Sequence, residues 1–290
     1  MKDKVQIHRY TINFESSPNA LTTESSIAGA LIKYKGGHGC LQPWPSLGDD
    51  DLNFHLLSII ENRPTEQALA CLKCCEIDAN ARDMGIDLFR NLSIPKSHLT
   101  VPFSCDHNIS TDIYEQSIGH SHIKVKGGND IETLVNYLEK LPQHLSIRVD
   151  FNSSLEPNQL VKFTQNLSHD CLQRIDFIED PFPYDPEAWK RFSELTRVNF
   201  ALDRGPFDAS IGFAVRIWKP SIFPAEPINA PVCITHNMDH ELGRRYAAYQ
   251  AGIIKSEVTV HGTGNFESSK NGTGFGMDDY LESIVWGDLT

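Results

Sequence analysis

Residues 121–150 read SHIKVKGGNDIETLVNYLEKLPQHLSIRVD: an apolar run ending in Lys124-Val125-Lys126, an amphipathic helical stretch over 129–141, and a second apolar run ending in Asp150. Strand, helix and strand in that order make the unit of a parallel sheet, because two parallel strands need a crossover that a helix supplies. The unit recurs along the chain. Strand-like runs are expected at 98–103, 174–179, 199–203, 213–219, 231–236 and 257–261, with helical stretches at 156–168, 185–196 and 240–254. The first of these helices opens with Glu156-Pro157, a first-turn proline. Eight strands packed into residues 98–261 suggest a closed barrel. An open doubly wound sheet is the weaker reading, since no Gly-x-Gly-x-x-Gly follows the first strand. The intervals after 203 and 219 are too short for full helices, so the expected fold class is α/β, a modified and trimmed (β/α)8-type barrel.

The first hundred residues have another pattern. Residues 4–14 and 28–35 read as strands, Gly36, Gly37 and Gly39 are expected to turn the chain, and helices follow at 51–62 and about 65–91, separated by Asn62-Arg63-Pro64. This is an N-terminal α+β cap domain. The expected division is a cap over 1–96, a barrel over 97–265 and a C-terminal segment, 266–290, that returns to the cap.

Composition narrows the partners. The 290 residues carry 26 Lys+Arg against 38 Asp+Glu, a formal net charge of −12. Phosphate backbones are bound through Lys and Arg, so no nucleic-acid partner is expected. No run approaches the roughly 20 apolar residues that span a bilayer, and MKDKVQIHRY lacks an apolar signal region, so no membrane partner and a cytoplasmic location are expected. Cys71-x-x-Cys74-Cys75 falls in helical sequence with no second Cys/His pair at ligand spacing, which points to reduced structural thiols.

In a parallel barrel the chemistry sits where the strands end at their C-terminal side. Five successive strands end in charge: Lys124 and Lys126, Asp150, Glu179, Asp203 and Lys219. Adjacent strands lie about 4.8 Å apart, so Asp150, Glu179 and Asp203 can converge on one point. Unpaired, they would repel each other. A hard divalent cation resolves the repulsion, and Mg²⁺ is the expected cofactor, with Mn²⁺ able to take its place. Lys124 and Lys126, two residues apart, share a strand face, and Lys219 approaches from four strands further round. An unperturbed lysine is a poor base at neutral pH, but a like charge and a divalent cation both lower its pKa. A lysine made basic in this way is suited to removing a proton from carbon beside a carboxylate, the resulting charge being held on oxygen.

These strand ends resemble the enolase superfamily. The motifs are Lys124-Val125-Lys126, Arg148-Val149-Asp150-Phe151-Asn152, Ile178-Glu179-Asp180-Pro181, Leu202-Asp203 and Ile217-Trp218-Lys219-Pro220. Lysines on both the second and sixth strands resemble the muconate-cycloisomerase-like subgroup. Dipeptide epimerases in it usually carry Asp-x-Asp after the last strand, where this chain has His261-Gly262-Thr263-Gly264. Arg148, the short connections and the segment His236 to Gly243 look most like o-succinylbenzoate synthase of menaquinone biosynthesis. That resemblance implies a carbon–oxygen lyase acting on a small-molecule carboxylate. In it Lys126 is base and then acid, Lys219 stabilises an enediolate, and Asp150, Glu179 and Asp203 are the metal ligands. It also implies supporting or substrate-binding roles for Lys124, Arg148, Asn152, Asn237, Met238 and Asp239. Specificity would come from cap segments 15–25 and Pro43–Ser46. A muconate-type cycloisomerase or an N-acyl amino acid racemase would use the same site. Arg204-Gly205 after Asp203 departs from the common pattern and makes Asp203 the least secure ligand. The sequence leaves the oligomeric state open.

Overall fold

The computed structural model describes all residues except 1–3, 15–21, 23, 102–110, 129, 228–229 and 265–271. The cap begins with β1 (Gln6–Asn13), β2 (Ser26–Tyr34) and β3 (Gly37–Leu41), followed by α1 (Leu52–Ile60) and α2 (Glu66–Asp83). The strands form an antiparallel sheet completed by β11 (Gly287–Asp288) in the order β11-β1-β2-β3.

The glycine-rich stretch does two jobs, not one. The turn itself is Lys35 and Gly36, both at positive φ (53° and 88°), a two-residue connection whose twist suits a hairpin. Gly37 and Gly39 lie within β3. A Cβ on Gly37 would sit 2.0 Å from the Cys75 carbonyl oxygen, and one on Gly39 would sit 2.5 Å from that of Cys71. Bare backbone therefore lets α2 lie directly on the strand, and a composition that reads as turn is a contact surface. Both cap helices start on a side chain that accepts a backbone N–H: Asp51 from Phe54, and Thr65 from Ala68. The expected helix over 65–91 stops at Asp83 because Gly85 turns left-handed (φ 65°) and Ile86 N–H donates back to Ala81.

The barrel contains, in chain order, β4 (Leu99–Val101), α3 (Thr111–Gln116), β5 (His122–Lys126), α4 (Ile131–Glu139) and β6 (Ser146–Asp150). Then come α5 (Pro157–Asn166), α6 (His169–Gln173), β7 (Ile175–Glu179), α7 (Pro186–Thr196), β8 (Phe200–Leu202), β9 (Val215–Trp218), β10 (Val232–Ile234) and α8 (Glu241–Ile253). After it comes α9 (Asp278–Ser283), ahead of β11. Seven parallel strands follow one another in sequence order. Alternation sets their two faces. Ile123, Val125, Ile147 and Val149 enter one buried apolar core with Leu134, Leu160, Phe163 and Trp189 of the surrounding helices. The intervening residues, Lys124, Arg148 and Asp150, face the other way.

Among the described residues the connections after β8 and β9 carry no helix, in keeping with intervals too short for full ones. The eighth strand, expected at 257–261, is a correction: it is reduced to two isolated bridges, Ser97 with His261 and Thr235 with Gly262. These still join the sheet edges. His98 N–H donates to His261 at 2.8 Å on one side, and Gly262 N–H donates to Ile234 at 2.8 Å on the other. The six described cysteines, those at 71, 74 and 75 among them, are free and buried. No helix among the described residues is long and apolar enough to cross a membrane.

Candidate active site

Register brings the charges together. Lys126 pairs with Asp150 across β5 and β6, and Asp150 pairs with Glu179 across β6 and β7, so three charged residues form one row. Asp203 and Lys219 follow one residue beyond β8 and β9. The side chains interlock. Lys124 Nζ lies 2.6 Å from Glu179 Oε2 and 3.0 Å from Asp150 Oδ2, while Lys126 Nζ donates to the same Asp150 oxygen at 2.5 Å. Lys219 donates to Asp203. The five sequence candidates for proton transfer and metal binding, together with Lys124, thus fall into two ion-pair groups.

The electrostatics follow from burial against pairing. Burial opposes ionisation of Asp150, but Lys124 and Lys126 outweigh it and hold its carboxyl well below the usual range. Asp203 is lowered in the same balance by Lys219 and Arg204. Burial alone would weaken the Lys124 ammonium, yet Asp150 and Glu179 hold its pKa above the ordinary lysine value. Glu179 is pushed up to about 7 by burial and by the charge of Asp150, with Lys124 opposing. It is the acid of this row that ionises last.

One residue of the row's support was read only as part of a motif. Asp180, held at φ 41°, accepts the backbone N–H groups of Asp203 and Arg204, each at 3.0 Å. Its carboxylate fixes the loop that delivers Asp203. Burial and then Asp203 and Glu179 raise its pKa.

A cavity of about 120 Å³ opens beside these groups, lined by Lys124, Lys126, Glu179, Asp203 and Lys219. Asn152 also lines it, with a buried Nδ2 that makes no hydrogen bond among the described residues. A larger cavity of about 300 Å³ lies in the cap between Arg9, Trp44 and Leu52 and holds none of the strand-end charges. The cap reaches the barrel mouth through Leu47, which lines the smaller cavity and whose carbonyl accepts from Arg204. Pro43–Ser46 lies beside this contact. Of the other expected cap segment, residues 15–21 and 23 lie outside the described residues.

One candidate, Arg148, is placed elsewhere. Arg148 points into the barrel below the row. It donates to Asp176 at 2.8 Å, to His98 at 3.0 Å and to the Val260 carbonyl at 2.9 Å, and its guanidinium stacks 4.6 Å from Phe177. It plugs the barrel instead of facing the cavity. Asn237 does line the cavity, with polar atoms held by the cap: its Nδ2 donates to Gln42 O, and its own carbonyl accepts from Trp44 Nε1 at 2.9 Å. Met238 lines the cavity, and Asp239, buried behind it, accepts from Asn237 N–H and Ser221 Oγ. His98 and Thr235, not singled out in the sequence, line the cavity as well. Nothing local marks them, since what brings them there is the barrel seam.

Among the described residues, no three acid, His or Cys side chains stand in an arrangement that holds an ion as they are. The donor set nevertheless suits one. Asp150, Glu179 and Asp203 offer buried carboxylate oxygens, the donors a hard divalent cation prefers, and a single ammonium already spans the first two. Holding the ion would require those lysines to release the carboxylates.

Known proteins resemble the chain in both parts. Residues 5–81 match the family described as O-succinylbenzoate synthase, N-terminal domain. The o-succinylbenzoate synthase of Bdellovibrio bacteriovorus is 26% identical over 325 aligned positions, covering 99% of this chain and 98% of the relative. Among solved structures, the L-Ala-D/L-Glu epimerase from Bacillus subtilis with substrate superposes with a TM-score of 0.74 at 16% identity, covering 91% of this chain and 90% of that one. The dipeptide epimerase from Enterococcus faecalis V583 with Mg and L-Leu-L-Tyr gives 0.73 at 17%, covering 90% of each. The magnesium complex of o-succinylbenzoate synthase from Thermosynechococcus elongatus BP-1 gives 0.61 at 15%, covering 85% and 88%. The structural likenesses show a shared fold, and the similarity to the Bdellovibrio relative extends over nearly the whole chain.

Proposed function

We propose that this protein is a metal-dependent lyase that dehydrates 2-succinyl-6-hydroxy-2,4-cyclohexadiene-1-carboxylate to o-succinylbenzoate. One observation carries the reading: Lys126 and Lys219 stand on two sides of one cavity, each paired with a different strand-end carboxylate. The match of the cap to the o-succinylbenzoate synthase N-terminal family supports the choice of substrate. His261-Gly262-Thr263 offers no carboxylate to grip an amino group, which speaks against dipeptide epimerisation.

In this reading Asp150, Glu179 and Asp203 hold Mg²⁺, or Mn²⁺ in its place. When bound, the ion supplies positive charge against the oxygens of the substrate's ring carboxylate. Lys126 Nζ, as free amine, takes the proton from the ring carbon that bears the carboxylate, and that C–H electron pair moves into the carboxylate. The new ammonium then gives a proton to the hydroxyl on the same face. The C–O bond breaks, water leaves, and the ring becomes aromatic. Lys219, across the cavity, faces the developing negative charge as a cation. Asp180 keeps Asp203 in place throughout by holding its backbone.

A spectrophotometric assay for o-succinylbenzoate, with and without a chelator, tests the proposal. Lys126→Ala should lower turnover by about 10³-fold or more while leaving the fold intact, the scale of a lost general base and acid. Turnover that persists in the variant would remove Lys126 from this role, and turnover of muconate or N-acylated amino acids alone would favour the cycloisomerase or racemase reading.

A further inference from the structure

The cavity has two unlike walls. One carries the lysines and carboxylates. The other lies at the seam where His261 and Gly262 join β10 to β4, and it carries His98, Thr235 and His236.

Hydrogen bonding fixes what these side chains present. Arg148 Nη1 lies 3.0 Å from His98 Nδ1. A guanidinium only donates, so this Nδ1 accepts and the proton sits on Nε2. The backbone N–H of Met238 donates to His236 Nδ1 at 2.9 Å and sets the same tautomer. Thr235 is only 6% exposed, yet its Oγ1 makes no hydrogen bond among the described residues. Leaving a buried hydroxyl unpaired costs about 1–3 kcal/mol, so a ligand oxygen that accepts its proton would be favoured there.

Gly262 makes the space. A Cβ there would stand 2.7 Å from Thr235 Cγ2, 2.8 Å from His98 Cε1 and 2.9 Å from His98 Nε2. The surroundings are electropositive as well. Burial, then Arg148 and Lys124, hold His98 well below the ordinary imidazole range, and burial, then Arg244 and Lys219, push His236 down to about 3. Burial is the larger cause of both shifts; the cations that add to it, Arg148, Lys124, Arg244 and Lys219, are what favour an anionic oxygen here.

We propose that His98, Thr235 and His236 form a subsite for a second carboxylate of the substrate, gripped by N–H and O–H donors on the wall away from the lysine–carboxylate row. The assignment rests on the lyase reading and deepens it: the terminal carboxylate of the succinyl chain docks at the seam, not at Asn237, whose amide is engaged with Gln42. Arg148 is then a positioning residue, acting through the His98 tautomer.

Calorimetry on the Mg²⁺-loaded protein with two ligands tests this. One is o-succinylbenzoate; the other is 2-butanoylbenzoate, in which a methyl group replaces the terminal carboxylate. Thr235→Val and His98→Asn should each weaken the first by about tenfold, the worth of one such hydrogen bond, and leave the second unchanged. His98→Gln, which keeps an N–H near the Nε2 position, should recover most of the loss. Equal losses for both ligands, or none for either, would overturn the subsite. Failure of the unaltered protein to bind either ligand would overturn the lyase reading instead. Succinate alone, titrated against the ¹⁵N resonances of the His98 and His236 rings, then decides the subsite by itself. Shifts that Thr235→Val diminishes support it, and rings that do not respond overturn it.

Discussion

Lys124 places one ammonium between two buried acids, 2.6 Å from Glu179 Oε2 and 3.0 Å from Asp150 Oδ2. In the proposed enzyme this is where a divalent cation and a lysine compete for the same oxygens. Removing the amine strands two carboxylates in a low-dielectric site, a change that costs about 3–5 kcal/mol. Lys124→Met should therefore melt at a lower temperature in EDTA, and Mg²⁺ should raise its midpoint by more than it raises that of the unaltered protein. Equal Mg²⁺ shifts in the two would show that ion and ammonium do not share these acids.

Glu179 sits at the centre of the charged row, between Asp150 on β6 and Asp203 beyond β8. Glu179→Gln keeps the shape and removes the charge. If this carboxylate binds the ion directly, Mg²⁺ affinity should fall by more than the roughly 10–100-fold typical of residues that only orient a ligand. Isothermal titration gives the number, and an unchanged affinity would take Glu179 out of the ligand set.

Asp239 predicts a pH effect. Burial pushes its carboxyl up to about 6, against the hydrogen bonds from Asn237 and Ser221. The folded value lies above the unfolded value of about 3.9, so the native state binds the proton more tightly. Stability from this group is therefore present at low pH and is lost as pH rises from about 4 to about 6, on the order of 3 kcal/mol in all. Asp239→Asn should flatten that part of the stability curve. Urea titrations at pH 4.5 and 7 measure the difference, and an unaltered slope would mean that the acid is ionised in the native protein.

Gly37 is expected to be intolerant of a single methyl group. The atoms that an added Cβ would meet, the Cys75 carbonyl oxygen at 2.0 Å and the Ala79 nitrogen at 2.3 Å, are backbone of α2 and have no rotamer to change. Gly37→Ala should cost at least the roughly 1–3 kcal/mol of ordinary overpacking, while Gly36→Ala, with nothing within 4 Å, should suffer only from its positive φ. Chemical denaturation of the two variants separates crowding from backbone strain.

Residues 121–150 could be read because every level of description agrees there. Ile123, Val125, Ile147 and Val149 alternate with Lys124, Arg148 and Asp150, and Asp130 caps the helix between the strands by accepting from Thr133. The charged ends of β5, β6 and β7 were legible for the same reason, since a strand's alternation fixes the direction of each side chain. What escaped depends on distant partners. The strand character of β3 is written in its fit to α2, and the eighth strand shrank to the two residues needed to bridge the sheet edges. Asn237 lines the cavity, but its ties to Gln42 and Trp44 of the cap are written in no local pattern, and Arg148 looks like a site residue until His98 and Asp176 draw it down.

The seam has a temporal consequence. The ring is completed only when residues 261 and 262 slip between Ile234 and His98, and the cap sheet gains its last strand only when Gly287 and Asp288 reach β1. A nascent chain still held on the ribosome short of these points already carries every lysine and acid of the row, yet it cannot enclose them. Cleavage between 254 and 261 would leave all of the catalytic candidates in one fragment and unfasten the vessel that aligns them.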